Sequence, residues 1–468
     1  MRRMSSRSFV VAVVLLVGCA SDDREPGTPP LTGDLDDPAF VACGNLAPAA
    51  SAEENSVAIQ GCLDQYGLAR LVGGVYPIAR GITIPASALL EGQGEPRPLV
   101  QLQPGNGGNF VVTFAASSPA DAKARVRHLR IDAHDALGLY DNAAIVHFGV
   151  DNGVVEDCEL FNETMPVPGH GMAGAYFICD TCTGNELRSS QLHTSFYGVI
   201  FRGRDANAQN VAAGNEIHDQ KCDGITFSGY GVAEGNVIHD GGYDCENGPI
   251  PGAGIYTLTN AAGGVMRGNQ IWNTCGHGLD LDRGAGFVIE DNVVTSPGYQ
   301  FGGWAPWCGW AAGALFQGLR DTAIRRNVIV NDGGARNRVG AGGYDIYAAF
   351  GRRPFSDLPA GAATVIGAIF SEPRTTEGWE ARNVVVENNQ FRAACADGDG
   401  CTGVGLFTSR STGYDGTDWS ASTTNYFTGN QSFGSNVGSV RCGGDWFDGN
   451  DDDTQHGGLF FGDDCNFF

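Results

Sequence analysis

One pattern of apolar and polar positions repeats through the middle of the chain. Gly198-Val-Ile-Phe201 leads to Asn215-Glu-Ile-His-Asp219, and Gly224-Ile-Thr-Phe227 leads to Asn236-Val-Ile-His-Asp240. Gly254-Ile-Tyr256 leads to Asn269-Gln-Ile-Trp-Asn273, Gly278-Leu-Asp-Leu281 to Asn292-Val-Val294, and Gly313-Ala-Leu-Phe316 to Asn327-Val-Ile-Val-Asn331. Looser copies end at Asn389-Gln-Phe391 and Asn430-Gln-Ser432. Apolar residues alternating over four or five positions have the period of a strand, not of a helix. The five asparagines from Asn215 to Asn327 are separated by 21, 33, 23 and 35 residues, a base period in the low twenties with insertions. Such a period marks a solenoid whose coils stack short parallel strands. Like positions then lie about 4.8 Å apart, and a buried Asn repeated at one turn can hydrogen-bond to its copies.

This repeat resembles the right-handed parallel β-helix of the pectin lyase-like superfamily, over residues 50 to 435. The resemblance implies an all-β fold of roughly ten coils. It says little about activity, because that superfamily holds lyases, hydrolases, epimerases and non-catalytic surface proteins. Its members begin with a helix that covers the open end of the first coil. Here Ser51-Ala-Glu-Glu54 is a capping box, and Ile59, Cys62, Leu63 and Tyr66 fall on one helical face. Residues 39–97 are therefore expected to form the N-terminal cap with its short capping helix and the first coil, 98–435 the β-helix, and 436–468 a C-terminal cap.

The N-terminus reads as an address. Three arginines precede the apolar run Phe9 to Val17, which is too short to span a bilayer. Leu16-Val-Gly-Cys19 is similar to the bacterial lipoprotein signal. That resemblance implies removal of residues 1–18, lipid on Cys19, a flexible tether over 19–38, and anchoring in the bacterial cell envelope through the lipid alone. The formal charge is −24, and loss of the leader with its arginines makes the chain more acidic still. So acidic a monomer is a poor partner for nucleic acid. Fourteen Cys in an exported chain argue for disulfides. Proximity suggests Cys43–Cys62, Cys395–Cys401 and Cys442–Cys465, and Cys179-Asp-Thr-Cys182 reads as a clip or as two separately paired thiols.

Candidate chemistry sits at outward strand positions. Aligning the Gly of each Gly-Ile strand places Ile200, Thr226, Tyr256, Asp280 and Leu315 in one outward row. Arg202 and Asp282 lie two residues further on, and Asp223 and His277 one residue before the Gly. His277-Gly-Leu-Asp280-Leu-Asp282-Arg283 gathers an imidazole, two carboxylates and a guanidinium around one strand. The Cα atoms of Asp280 and Asp282 are expected roughly 6.5–7 Å apart, with Asp223 two coils away at roughly 10 Å. Carboxyls separated by ~6.5–9.5 Å suit an inverting glycosidase. Gly276-His277-Gly278 resembles the Gly-His-Gly of polygalacturonases, but the Asp-Asp pair and Arg-Ile-Lys of that family have no counterpart here.

A second constellation follows the Asn-x-Ile strands. His193, His218 and His239 occupy equivalent positions, with Asp219 and Asp240 next to the last two. They are a candidate cation or proton-transfer site, set against the plain preference of Asp for turns. Tyr243, Trp304 and Trp307 in the longer loops offer faces on which sugar rings stack. Together these residues point to a polysaccharide partner. The expected function is a surface lipoprotein that binds and cleaves a glycan as a lyase or glycoside hydrolase, or alternatively a non-catalytic adhesive protein on the same face. A lyase needs a base, and cation or Ca²⁺ to offset a uronate, so the acidic chain favours neutral or Ca²⁺-bridged glycans.

Overall fold

The computed structural model describes residues 38–462 except 105–108, 136, 138–142, 164–172, 179–181, 203–208, 243–251, 258–262, 283, 296–312, 318, 332–363, 373–381, 394–400, 409–425, 436, 443–445, 449–450 and 455–459. In several strands only the backbone is described. The signal segment, Cys19, Tyr243, Arg283, Trp304, Trp307, Cys395 and Cys465 therefore lie outside the described residues.

The chain is a right-handed parallel β-helix. Three sheets of 13 strands each run along it, and every strand pairs in parallel with the third strand before and after it. The first coil takes Leu68–Val72 into sheet I, Val75–Ile78 into sheet II and Ile82–Ile84 into sheet III. The last takes Trp446–Asp448, Asp451–Thr454 and Phe460–Gly462. Thirteen coils replace the roughly ten expected, and the segment from 437 to 462 contributes strands to the last two of them. Its short Gly- and Asp-interrupted runs continue all three sheets.

The inner face is apolar and stacked in register. Val199, Ile225, Ile255 and Leu279 lie in one row, and the Phe201 and Phe227 rings stack inside at 5.2 Å. The recurring Gly has a steric cause. A Cβ on Gly254 would sit 2.5 Å from Ile271 Cγ2 and 2.7 Å from the Gly278 carbonyl oxygen, closer than real Cβ atoms approach.

The turn from sheet I to sheet II is built on the repeated Asn. Asn215, Asn236, Asn269, Asn292, Asn327, Asn389 and Asn430 are all buried. Each amide Nδ2 from Asn215 to Asn389 donates to the Oδ1 of the next Asn at 2.9 Å. Its second hydrogen goes to a backbone carbonyl, as Asn269 Nδ2 does to Ala233 at 2.9 Å. The residue before each Asn has a left-handed backbone, with φ between 55° and 64°. Gly, Asp or Asn fills most of these positions, as sterics dictate. Arg326 is the bulky exception, and ion pairs to Asp291 and Glu290 at 2.8 Å hold it there.

Sheet I carries a second ladder on its outer face. Arg70, Glu91, Arg127, Glu156 and Arg188 stack in alternating charge. After Ala213 the row resumes as Glu234, Arg267, Glu290, Arg325 and Glu387. A coil paired out of order would set like charge on like, so the alternation specifies the stacking sequence.

At the N-terminal end the helix Ala52–Tyr66 covers the first coil. Its capping box is formed, and Ile59, Cys62, Leu63 and Tyr66 are buried as their spacing requires. Cys43 and Cys62 form a disulfide, Cys182, Cys222 and Cys275 are disulfide-bonded, and Cys158 is a buried free thiol. Cys43 ends the helix Pro38–Cys43, so its bridge ties that segment to the cap across a separation of 19 residues. Replacing Cys43 and Cys62 by serine should cost about 3 kcal/mol of cap stability from chain entropy. The loss is read as a lower urea midpoint for amide-exchange protection in Ala52–Tyr66, and an unchanged midpoint would contradict it.

Candidate functional site on sheet III

Chain length is distributed unevenly around the coil. The sheet I to sheet II turn is two residues in most coils, as at Gly214-Asn215 and Gly268-Asn269. The connections into sheet III include 242–254, 296–313 and 332–363, and those leaving it include 409–425. The long connections therefore fall immediately before or after sheet III strands in the chain.

The outward row on this sheet has the register that alternation requires. Ile200 pairs with Thr226, Thr226 with Tyr256, Tyr256 with Asp280, and Asp280 with Leu315. Although Ile200 and Thr226 face away from the core, they are only 6% and 3% exposed. Tyr256 and Asp280 are half-buried. On sheet I the outward row is mixed, with 45% of the Arg267 side chain exposed and Glu290 4% exposed. Part of the outer face of sheet III is thus shielded from solvent although it points away from the core.

The neighbouring positions stack beside that row. The Gly198, Gly224 and Gly254 amides donate to the carbonyls of Asp223, Ala253 and His277 at 3.0, 3.0 and 2.9 Å. His277 is 9% exposed and lies two coils beyond Asp223. Asp223 is 7% exposed, and its carboxylate accepts from the Ala253 amide at 2.7 Å and from the Thr226 hydroxyl at 3.0 Å. The carboxylate braces the turn into the next coil, so its geometry is that of a positioning group. Arg202 is exposed and in register with Ser228. Asp282 pairs with Gln317 in the backbone ladder, and its side chain lies outside the described residues.

Sheet II carries the stacked histidines. Phe161, His193, His218, His239 and Trp272 form a ladder of five rings with centroid spacings of 5.2, 5.2, 5.2 and 4.7 Å. The His218 Nδ1 faces Asp219 at 2.7 Å and the His239 Nδ1 faces Asp240 at 2.8 Å. His218 Nε2 lies 3.1 Å from the Gln191 amide nitrogen. Glu159 takes a hydrogen bond from His193, which with Arg130 holds its carboxyl down at about 2. The expected cation ligands His218, His239, Asp219 and Asp240 are engaged in these pairs. Stacked rings keep their nitrogens parallel, and among the described residues no three metal-ligating side chains converge. Sequence reading missed Phe161 and Trp272 as ladder members, although Trp272 stands where His218 and His239 stand in their own repeats.

A family model described as the right-handed beta helix region matches residues 175–349, and no curated protein sequence matches. Among solved structures the chain is similar to the A-module of the mannuronan C-5 epimerase AlgE6 of Azotobacter vinelandii. That similarity has a TM-score of 0.55 at 13% identity, covering 88% of this chain and 98% of that one. It is also similar to the Dettilon tailspike protein, with a TM-score of 0.52 at 14% identity, covering 85% of this chain and 68% of that one. At these identities the likeness concerns the fold, a right-handed parallel β-helix along nearly the whole chain.

Proposed function

We propose that this chain binds a polysaccharide along the outer face of sheet III and processes it there. Asp280 is the acid–base group of this reading, and Tyr256 and His277 lie beside it. The observation that carries the reading is the outward strand row itself, in which Ile200 and Thr226 are shielded from solvent and Tyr256 and Asp280 are half-buried. An extended glycan matches a groove that runs across successive coils. A mannuronan epimerase module with the same fold end to end adds support, since its substrate is a polysaccharide.

In this reading Asp282 is the second carboxylate, and strand rise sets it roughly 6.5–7 Å from Asp280, enough for a water or a sugar between them. Asp223 positions the strand, while Arg202 and Arg283 contact charged or polar sugar substituents. Tyr243, Trp304 and Trp307 supply stacking faces at the rim. The chain's acidity favours a neutral glycan or one bridged by Ca²⁺. Lipid on Cys19 would hold the protein in a bacterial envelope. Loss of palmitate labelling and of membrane sedimentation in Cys19→Ala tests this, and a variant that still sediments refutes it.

A reducing-sugar and unsaturated-product screen of the mature chain, with and without EDTA, identifies the glycan. Asp280→Asn should then keep a melting temperature close to that of the wild type, because the amide preserves the shape of the half-buried side chain. Turnover should fall by about 100-fold or more, the usual scale of a lost acid–base group. Retained turnover would refute the catalytic assignment. Binding without turnover in the wild type would favour the adhesive reading, to which the structural engagement of Asp223 already lends weight.

A further inference from the structure

The outer face of sheet III continues past this site toward the N-terminus, and its character changes there. His147, in the strand Ala144–Phe148, lies in the same outward row, paired through Tyr176 with Ile200. Beside it, Phe110, Ala144, Tyr197 and Ile200 pack as an apolar cluster separate from the main core. The Phe110 ring stacks on the His147 ring, with centroids 4.1 Å apart and planes inclined by 12°. Both ring nitrogens of His147 are shielded from solvent, and neither has a hydrogen-bond partner among the described residues. Gly149, two residues on, packs close against the ring. A Cβ there would lie 3.0 Å from the His147 Cε1.

Such a side chain is costly for the free protein. A buried donor or acceptor without a partner forfeits its hydration and gains nothing in return. Burial also moves the imidazole pKa down, which favours the neutral ring with one N–H donor and one bare acceptor nitrogen. The apolar cluster around it is an aromatic-lined surface. That combination complements one sugar unit, whose C–H face packs on aromatic rings while its hydroxyls both donate and accept.

We infer that His147 and the cluster of Phe110, Tyr197 and Ile200 form a distal saccharide subsite, on the same groove as Tyr256 and Asp280. The inference rests on the glycan reading of sheet III. His147 lies four coils from Tyr256, roughly 19 Å along the axis at strand spacing. The subsite would therefore act on long chains and leave short ones unaffected.

The test uses the mature chain and four probes of graded length, from dimer to decamer: malto-, xylo- and manno-oligosaccharides, and mannuronan oligosaccharides with CaCl₂. His147→Phe should melt at or above the wild-type temperature, since it removes two unsatisfied nitrogens and keeps the stack on Phe110. It should bind the longest effective oligosaccharide at least about tenfold more weakly, the scale of a lost pair of hydrogen bonds, and the shortest equally well. His147→Gln, which retains a donor and an acceptor, should recover part of that loss. If His147→Phe binds every length as the wild type does while Tyr256→Ala loses binding, the distal subsite is refuted and the groove stands. If Tyr256→Ala also binds normally, or no probe binds the wild type, the groove reading falls and the subsite with it. A marked drop in melting temperature for His147→Phe would show the imidazole to be structural and would also overturn the inference.

Discussion

Replacing Asn269 by leucine should lower the unfolding free energy by about 4 kcal/mol, the largest effect expected of any single outward or turn residue here. Asn269 Nδ2 donates to the Ala233 carbonyl and to Asn292 Oδ1, both at 2.9 Å. Its Oδ1 accepts from the Asn236 backbone amide at 3.0 Å and from the Asn236 side-chain amide at 2.9 Å. Leucine has nearly the same shape but removes these four buried hydrogen bonds, each worth roughly 1–3 kcal/mol with partial relaxation, although Asn292 Oδ1 keeps the Asn269 backbone amide at 3.0 Å and Asn236 Nδ2 keeps the Ala212 carbonyl at 2.9 Å. Because each coil touches only its neighbours, the damage should centre there. Amide exchange should accelerate first in the strands flanking Asn236, Asn269 and Asn292. A urea-derived loss below about 1 kcal/mol would show that the Asn ladder follows the fold without holding it.

The second large effect concerns the charge ladder and carries a pH signature. Glu290 is 4% exposed, and its carboxylate accepts from Arg267 Nε at 2.7 Å, Arg325 Nε at 2.6 Å and Arg326 Nη2 at 2.8 Å. Foremost Arg325, then the other two, hold its carboxyl down at about 2, from an ordinary 4.5. A carboxyl whose folded pKa is depressed stabilises the fold above its unfolded value and loses that contribution as pH falls toward the folded value. Glu290→Gln should therefore cost about 2–3 kcal/mol at pH 7, an estimate kept modest because all three arginines are partly solvated. The gap between wild type and variant should close as pH is lowered from about 4.5 to about 2. A gap that persists unchanged at pH 2 would assign the effect to packing.

The two ladders differ in how far the chain reveals them. The Asn ladder was legible because its members open a recurring strand phrase, Asn-x-Ile or a close variant of it. The Arg/Glu ladder was not, since its alternation runs across the stack between residues such as Arg267 and Glu290. It appears only once register is known. Alternation likewise placed Thr226, Tyr256 and Asp280 in one outward row, which the pairing reproduces. What alternation cannot supply is how deeply an outward side chain is buried. Asp223 therefore read as a surface carboxylate, whereas it is buried and braces a turn. His147 stayed invisible for a related reason, as its strand lies upstream of the clear repeats and a lone His in an apolar run carries no signal. Residues 436–468 were read as a closing segment from Cys442, Cys465 and their aromatics, and the strand pairing between 437 and 462 appears only once the neighbouring coil is in place.

The groove is tested most directly by a crystal structure of Asp280→Asn with the longest oligosaccharide that the wild type binds. The sugar chain should lie across sheet III, with one unit within hydrogen-bond distance of position 280 and another in contact with Tyr256. A saccharide seated on the charge ladder of sheet I, on the ring ladder of sheet II or at either end of the helix would contradict the account.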